Sequence, residues 1–199
     1  MNYVVVDVEA TCWQNTHAPQ RSEIIEIGAV YLESSTGPAA REFERFVRPF
    51  VVPQLSDFCQ SLTSITQADV DRADTFWTVF HEFIDWIGPE PFVLCSWGGY
   101  DLKQLRVDCA RFGLPLPTAF ERHINLKKQF SRIYDVPRRG MAAALRHARL
   151  PLEGRHHRGI DDARNIAKLA QLILPRLEQE GVIAALVVWH RDSDVHRER

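Results

Sequence analysis

Cysteine is scarce, with Cys12, Cys59, Cys95 and Cys109 the only four in 199 residues and no two of them in a Cys-x-x-Cys pair. Disulfides or a zinc site are the alternatives, but that wide spacing favours free, mostly buried thiols in a reducing cytosol. Long apolar runs are missing too. No stretch reaches the length of a membrane span, and the N-terminus leads directly into an apolar strand instead of a signal peptide. A soluble cytoplasmic protein without a membrane partner is therefore expected. Internal repeats and low-complexity linkers are absent. The formal charge of −2 and a pI near 6.4 argue against a general polyanion binder.

The chain does have 45% hydrophobic and 25% charged residues, a globular balance, in a length suited to one domain with a substantial core. Residues 3–8, 23–33 and 41–49 read as three strands before Pro49 and Pro53 break the pattern. Phe76, Val79, Phe80, Phe83, Ile84 and Ile87 then follow helical spacing up to Gly88-Pro89. A short apolar strand over 91–97 is followed by a helix over 100–113, and helices are expected at 126–134, 140–148 and 161–180, with Pro175 as a kink. The run 182–189 fits either a continued helix or a strand, and the polar tail from about 190 is expected to fray. Early strands followed by strand–helix alternation predict an α/β domain with a mixed central sheet.

Charge is unevenly distributed. Between Arg122 and Arg158 stand ten Lys or Arg against two Asp or Glu, whereas residues 1–121 carry 8 basic and 17 acidic groups. Most charge runs are only solvated helix faces. A positive border beside an acidic site would nevertheless suit a phosphate polymer approaching bound cations.

The acidic site begins in "VVVDVEATCW", where Asp7 and Glu9 are two apart at the end of a strand and so share one face. The plainer reading ends the strand at Asp7 and leaves both groups in solvent. Held together, they would need a cation, and hard ions such as Mg²⁺ prefer carboxylate oxygens. Asp101 follows a buried strand and a Gly-Gly turn, where an ordinary N-terminal helix aspartate is the commoner explanation. His156 and His157 each stand five residues before Asp161 and Asp162, respectively, at another helix start, where an N-cap and loop histidines would also fit.

Taken in order, these motifs resemble the DEDDh 3′→5′ exonucleases, whose site holds four acidic metal ligands and a histidine. "DVEATC", "FCQSLTSITQADVDRADTF", "WGGYD", "INLKKQF" and "GRHHRGIDDARNIA" are most similar to the Eri-type and histone-mRNA 3′-exonuclease branch. The resemblance covers about residues 3–175. It implies an RNase H-like fold with a five-stranded mixed sheet flanked by helices, and an exonuclease domain over 1–180 followed by a C-terminal extension over 181–199. No accessory RNA-binding domain, of the kind some relatives carry, is expected within these 199 residues.

By position, the resemblance implies Asp7, Glu9, Asp101 and Asp162 as ligands of two Mg²⁺ ions, with Mn²⁺ able to substitute, and His157 as general base. The family pattern places its histidine two residues before Gly-Ile-Asp-Asp, which selects His157 with Asp162. Asp161 is then a helix-capping residue and His156 part of the loop, with only a small effect expected from its removal. Ala10 and Thr11 are implied contacts of the terminal nucleotide, and Leu62 and Thr63 pack on its base. Lys127, Lys128, Arg138 and Arg155 are candidates to guide upstream phosphates. The implied activity is hydrolysis of single-stranded RNA 3′ ends or overhangs to nucleoside 5′-monophosphates. The alternatives are a DNA-directed exonuclease of the same chemistry and a non-catalytic nucleic-acid binder, against which the intact acidic set speaks.

Overall fold

The computed structural model describes residues 1–14 and 21–187. Strands β1 (Asn2–Ala10), β2 (Ile24–Leu32), β3 (Ala39–Arg48), β4 (Asp74–Thr75), β5 (Phe92–Ser96) and β6 (His123–Asn125) form a six-stranded sheet in the order β4-β3-β2-β1-β5-β6. β1 pairs antiparallel with β2 and parallel with β5, which makes the sheet mixed and places the Asp7–Glu9 strand near its centre. The Val-rich start of β1 suits a strand covered on both faces. One more strand is present than expected, because β4 adds a two-residue edge pairing to β3.

The helices are α1 (Asp57–Thr63), α2 (Gln67–Asp71), α3 (Phe76–Ile87), α4 (Tyr100–Arg111), α5 (Leu126–Tyr134), α6 (Met141–His147) and α7 (Gly159–Gln179). Side-chain alternation along β1 divides the core. Tyr3 and Val5 pack with Val30, Val93 and the α7 residues Ile166, Leu169 and Ile173. Val4, Val6 and Val8 pack on the other face with Phe80 and Phe83 of α3 and Leu105 of α4. The series Tyr3, Val5, Asp7, Glu9 therefore runs along the α7 face, which settles where the two carboxylates look.

Asp7 pairs with Gly28 of β2, and a Cβ added to Gly28 would lie 2.0 Å from the Gly159 carbonyl carbon. The start of α7 thus rests directly on the sheet beside Asp7, an approach that only glycine permits. Gly28→Ala is expected to push α7 outward, with a stability cost of about 1–3 kcal/mol and loss of turnover. Urea unfolding read beside activity would check this, and a variant with both unchanged would contradict the close approach.

Residues 182–187 are helical, which decides against a strand there, while Val188, Trp189 and the polar tail lie outside the described residues. α7 continues through Pro175 to Gln179. All four cysteines are free, and Cys59, Cys95 and Cys109 are buried. Among the described residues no helix is long and apolar enough to cross a membrane.

Candidate active site

Three elements deliver the acidic groups. Asp7 and Glu9 lie on one face of β1, and Asp162 comes from the first turn of α7, so that oxygens of the three lie within 4.8 Å of one another. Asp101, in the first turn of α4, is buried, and its Oδ1 accepts the Val8 N–H at 3.2 Å. β5 pairs with β1 only as far as Val5, so Asp101 takes up a strand N–H beyond the end of that ladder.

Crowding shows in the protonation behaviour. Burial, then Asp101, Glu9 and Asp162, raise Asp7 well above the usual carboxylate range. Glu9 is pushed up to about 9, first by burial and then by Asp162 and Glu26. Burial raises Asp101 to about 6 against the opposing pull of its hydrogen bonds and the Lys127 charge. Asp162 is also raised by burial, although the His157 N–H and His156 pull it back. Like charges at this spacing hold protons unless a cation takes their place. An all-oxygen, carboxylate-rich donor set fits a hard divalent ion.

The histidine loop is built around Asp162. The His157 N–H donates to Asp162 Oδ2 at 2.9 Å, and His157 itself adopts a left-handed backbone with φ of 66°. Such a conformation costs a β-carbon residue about 1–2 kcal/mol, so the surrounding bonds must hold it. A ring nitrogen of His157 lies within 4.8 Å of an Asp162 oxygen. His156 is more than loop, because its Nδ1 hydrogen-bonds Asp162 Oδ2 at 2.9 Å and its ring stacks on His157 with centroids 4.0 Å apart.

Asp162, not Asp161, joins Asp7 and Glu9. Asp161 is not the helix cap expected of it: the N-cap position is Arg158, which makes no side-chain capping bond. Its carboxylate instead accepts the Arg155 N–H at 2.8 Å and the Arg164 guanidinium at 2.9 Å, tying down the loop before the histidines. Asn165, fully buried, completes that tether by donating to the Glu153 and Asp161 carbonyls.

Two of the expected nucleotide contacts have their hydroxyl groups engaged within the fold. Thr11 is buried, its hydroxyl accepts the Glu23 N–H at 3.0 Å and its own N–H donates to the Glu23 carbonyl, so it holds β1 to the start of β2. Thr63 is fully buried, donating to the Cys59 carbonyl and accepting from the Ile65 N–H, which closes α1 and leaves no surface for a base. Ala10 is buried beside Glu9, whereas Leu62 is half-buried and retains an outward surface. Lys127 borders the site, with its Nζ 4.0 Å from where a Gly98 Cβ would stand. Lys128, Arg138 and Arg155 are exposed.

Glu26 and Arg158 went unnoticed in the sequence. Glu26 is fully buried, faces Glu9 across the β1–β2 pair, and bonds Arg158. A charged residue in the otherwise apolar run "IIEIGAV" is the available signal.

A mixed sheet whose central strand carries two carboxylates, met by a third from the start of a closing helix, defines an RNase H-like α/β domain with an acidic centre. Residues 4–170 match the family described as Exonuclease (RNase_T), and the chain belongs to that family. The human protein 3'-5' exoribonuclease 1 is 37% identical over 179 residues, covering 85% of this chain and 51% of that protein. The nuclease domain of 3'hExo, a DEDDh family member bound to rAMP, is similar with a TM-score of 0.81 at 36% identity, over 90% of this chain and 92% of that one. A structure of 3'-end specific recognition of histone mRNA stem-loop by 3'-exonuclease also gives 0.81 at 36% identity, over 90% of this chain and 64% of that one. The chain spans about half the length of the human, rat and mouse exoribonuclease 1 proteins, at 51–52%.

Proposed function

We propose that the protein is a metal-dependent 3′→5′ exoribonuclease that shortens single-stranded RNA ends and overhangs and releases nucleoside 5′-monophosphates. One observation carries this reading. Oxygens of Asp7, Glu9 and Asp162 lie within 4.8 Å of one another, with a His157 ring nitrogen as near to Asp162, in a chain 36% identical to a nuclease domain that holds rAMP. The bound rAMP of that relative supports a nucleoside monophosphate product, and the histone mRNA stem-loop relative supports RNA 3′ ends as substrate.

Asp7, Glu9, Asp101 and Asp162 would hold the metal, read as two Mg²⁺ ions with Mn²⁺ able to substitute. When bound, such ions supply Lewis-acid stabilisation of phosphoryl charge and a more acidic water. His157 takes the proton from the attacking water, since imidazole titrates near neutrality. The new bond joins that water oxygen to the terminal phosphorus, the bond to the 3′-oxygen breaks, and that oxygen takes a proton from solvent as the shortened strand leaves with a 3′-hydroxyl. Leu62 offers the surface for the terminal base, with Ala10 behind it. Lys127, Lys128, Arg138 and Arg155 draw in the upstream phosphates. Residues 1–180 serve as the exonuclease domain, in line with the match over 4–170, with 181–199 as an extension. The four free thiols support a cytoplasmic setting.

The test is digestion of matched single-stranded RNA and DNA oligonucleotides, with chromatography of the products. RNA is expected to shorten from its 3′ end to 5′-monophosphates, and a blocked 3′ end should resist. Faster loss of DNA would transfer the protein to the DNA-directed class, and internal cuts in a circular strand would exclude an exonuclease. EDTA is expected to abolish hydrolysis, and Mg²⁺ or Mn²⁺ to restore it. Metal at 100 times its Kd should also stabilise the fold by about 2.7 kcal/mol, readable as a rise in Tm. Full activity in rigorously metal-free protein would end the metal-dependent reading.

A further inference from the structure

Glu26 stands directly opposite Glu9 in the antiparallel β1–β2 register, so the two carboxylates share the α7 face as cross-strand neighbours. Like charges in that arrangement repel, and Glu26 is fully buried. Its charge is met by Arg158, whose Nε donates to Glu26 Oε2 at 3.1 Å and whose Nη2 lies 3.4 Å from Oε1. The same Oε2 accepts the Gly159 N–H at 2.9 Å, at the first residue of α7. Arg158 also reaches β3, donating to Glu44 at 3.1 Å and lying 5.0 Å from the centroid of the Phe46 ring. Its carbonyl accepts the Asp162 N–H at 2.8 Å. One residue is thus fastened to two strands and to the helix that carries the fourth acidic ligand.

That residue immediately follows His157. The left-handed backbone of His157 is held on one side by its own N–H bond to Asp162 and on the other by the anchored Arg158. If the guanidinium is removed, the C-terminal side of His157 is no longer fixed, and Glu26 becomes an unpaired buried charge beside Glu9. The geometry points to Glu26 and Arg158 as positioning residues: their ion pair fixes the backbone on which His157 reaches the acidic centre, and it cancels a carboxylate lying next to the ligands. This inference rests on His157 acting as the general base.

Arg158→Ala is expected to lower kcat by about 10²-fold, the penalty of a misplaced catalytic group, with KM for RNA unchanged. Arg158→Lys should restore stability, since an ammonium still offsets Glu26, but only part of kcat, because it lacks the planar fork. Should Arg158→Ala fail to fold, Glu26→Gln with Arg158→Ala removes the stranded charge and carries the same kcat expectation. The decisive arm adds Arg158→Ala to His157→Ala with Glu26→Gln present in every variant compared, so that no stranded carboxylate disturbs the acidic ligands. If Arg158 acts through His157, the pair is no slower than His157→Ala alone. An independent further loss in the pair, or normal kcat in folded Arg158→Ala, overturns the positioning role while leaving His157 as base intact. Normal turnover in His157→Ala itself overturns the general-base reading, and the positioning role falls with it. Arg45→Ala, which removes an exposed ion pair with Glu82, serves as the control with unchanged activity.

Discussion

His157→Ala is expected to lower kcat by about 10²–10⁴-fold, the range of general acid–base catalysis. RNA binding and metal-induced stabilisation should persist, because Asp7, Glu9, Asp101 and Asp162 all remain. The position of the imidazole is the reason. A ring nitrogen lies within 4.8 Å of the Asp162 carboxylate, on a backbone bonded to that same carboxylate. Exogenous imidazole should recover part of the lost turnover, since the vacated volume opens beside the acidic centre. His156→Ala should behave differently. Its Nδ1 bonds Asp162 at 2.9 Å, so its removal should raise the metal concentration needed for activity by about 10–100-fold, the usual worth of a partner to a ligand, with kcat at saturating metal largely retained. Should the two phenotypes be exchanged, His156 becomes the base and the functional register moves by one residue.

Asp7→Asn is expected to cost about 10²-fold or more in turnover, since an amide is a weak ligand and bound metal contributes several kcal/mol to the transition state. Stability should move the opposite way. In metal-free buffer at neutral pH the substitution removes a half-buried carboxyl that the folded state disfavours as an anion and must hold protonated, so Tm should rise. Burial, Asp101, Glu9 and Asp162 all oppose the charge on Asp7. Added Mg²⁺ should then stabilise the variant less than the wild type, bringing the two melting curves together or crossing them. This reciprocal change separates a ligand from an ordinary core residue, whose loss lowers both quantities. Near-normal Mg²⁺-activated turnover in Asp7→Asn would remove the β1 carboxylates from the metal centre.

Much of this architecture was legible in the chain because it is written in local periodicity. The run Tyr3 to Val6 and the Phe76–Ile87 stripe gave β1 and α3 their identities, and alternation alone put Asp7 and Glu9 on one face. The motif "GRHHRGIDDARNIA" supplied Asp162 and His157 through family spacing, and the structure brings Asp162 to Asp7 and Glu9 while turning Asp161 toward Arg155 and Arg164. β6 and β4 escaped notice for a physical reason. Three and two residues are too few to express a period, and pairing with β5 and β3 is what makes them strands.

Other side chains have surroundings that residue type alone does not reveal. Thr11 and Thr63 have the small polar side chains expected at a nucleotide site, yet Glu23, Cys59 and Ile65 claim their hydrogen bonds. Glu26 looked like a strand residue, and its partnership with Arg158 spans 132 positions in sequence. The sequence by itself determined the element types, the acidic strand end and the identities of its partners, because hydrophobic period and motif order are local properties. The tertiary structure decided which carboxylates meet, how closely α7 settles on Gly28, and which polar groups are spent on holding the loop. Those outcomes depend on burial and on pairing across the sheet, quantities that exist only once the distant segments are packed together.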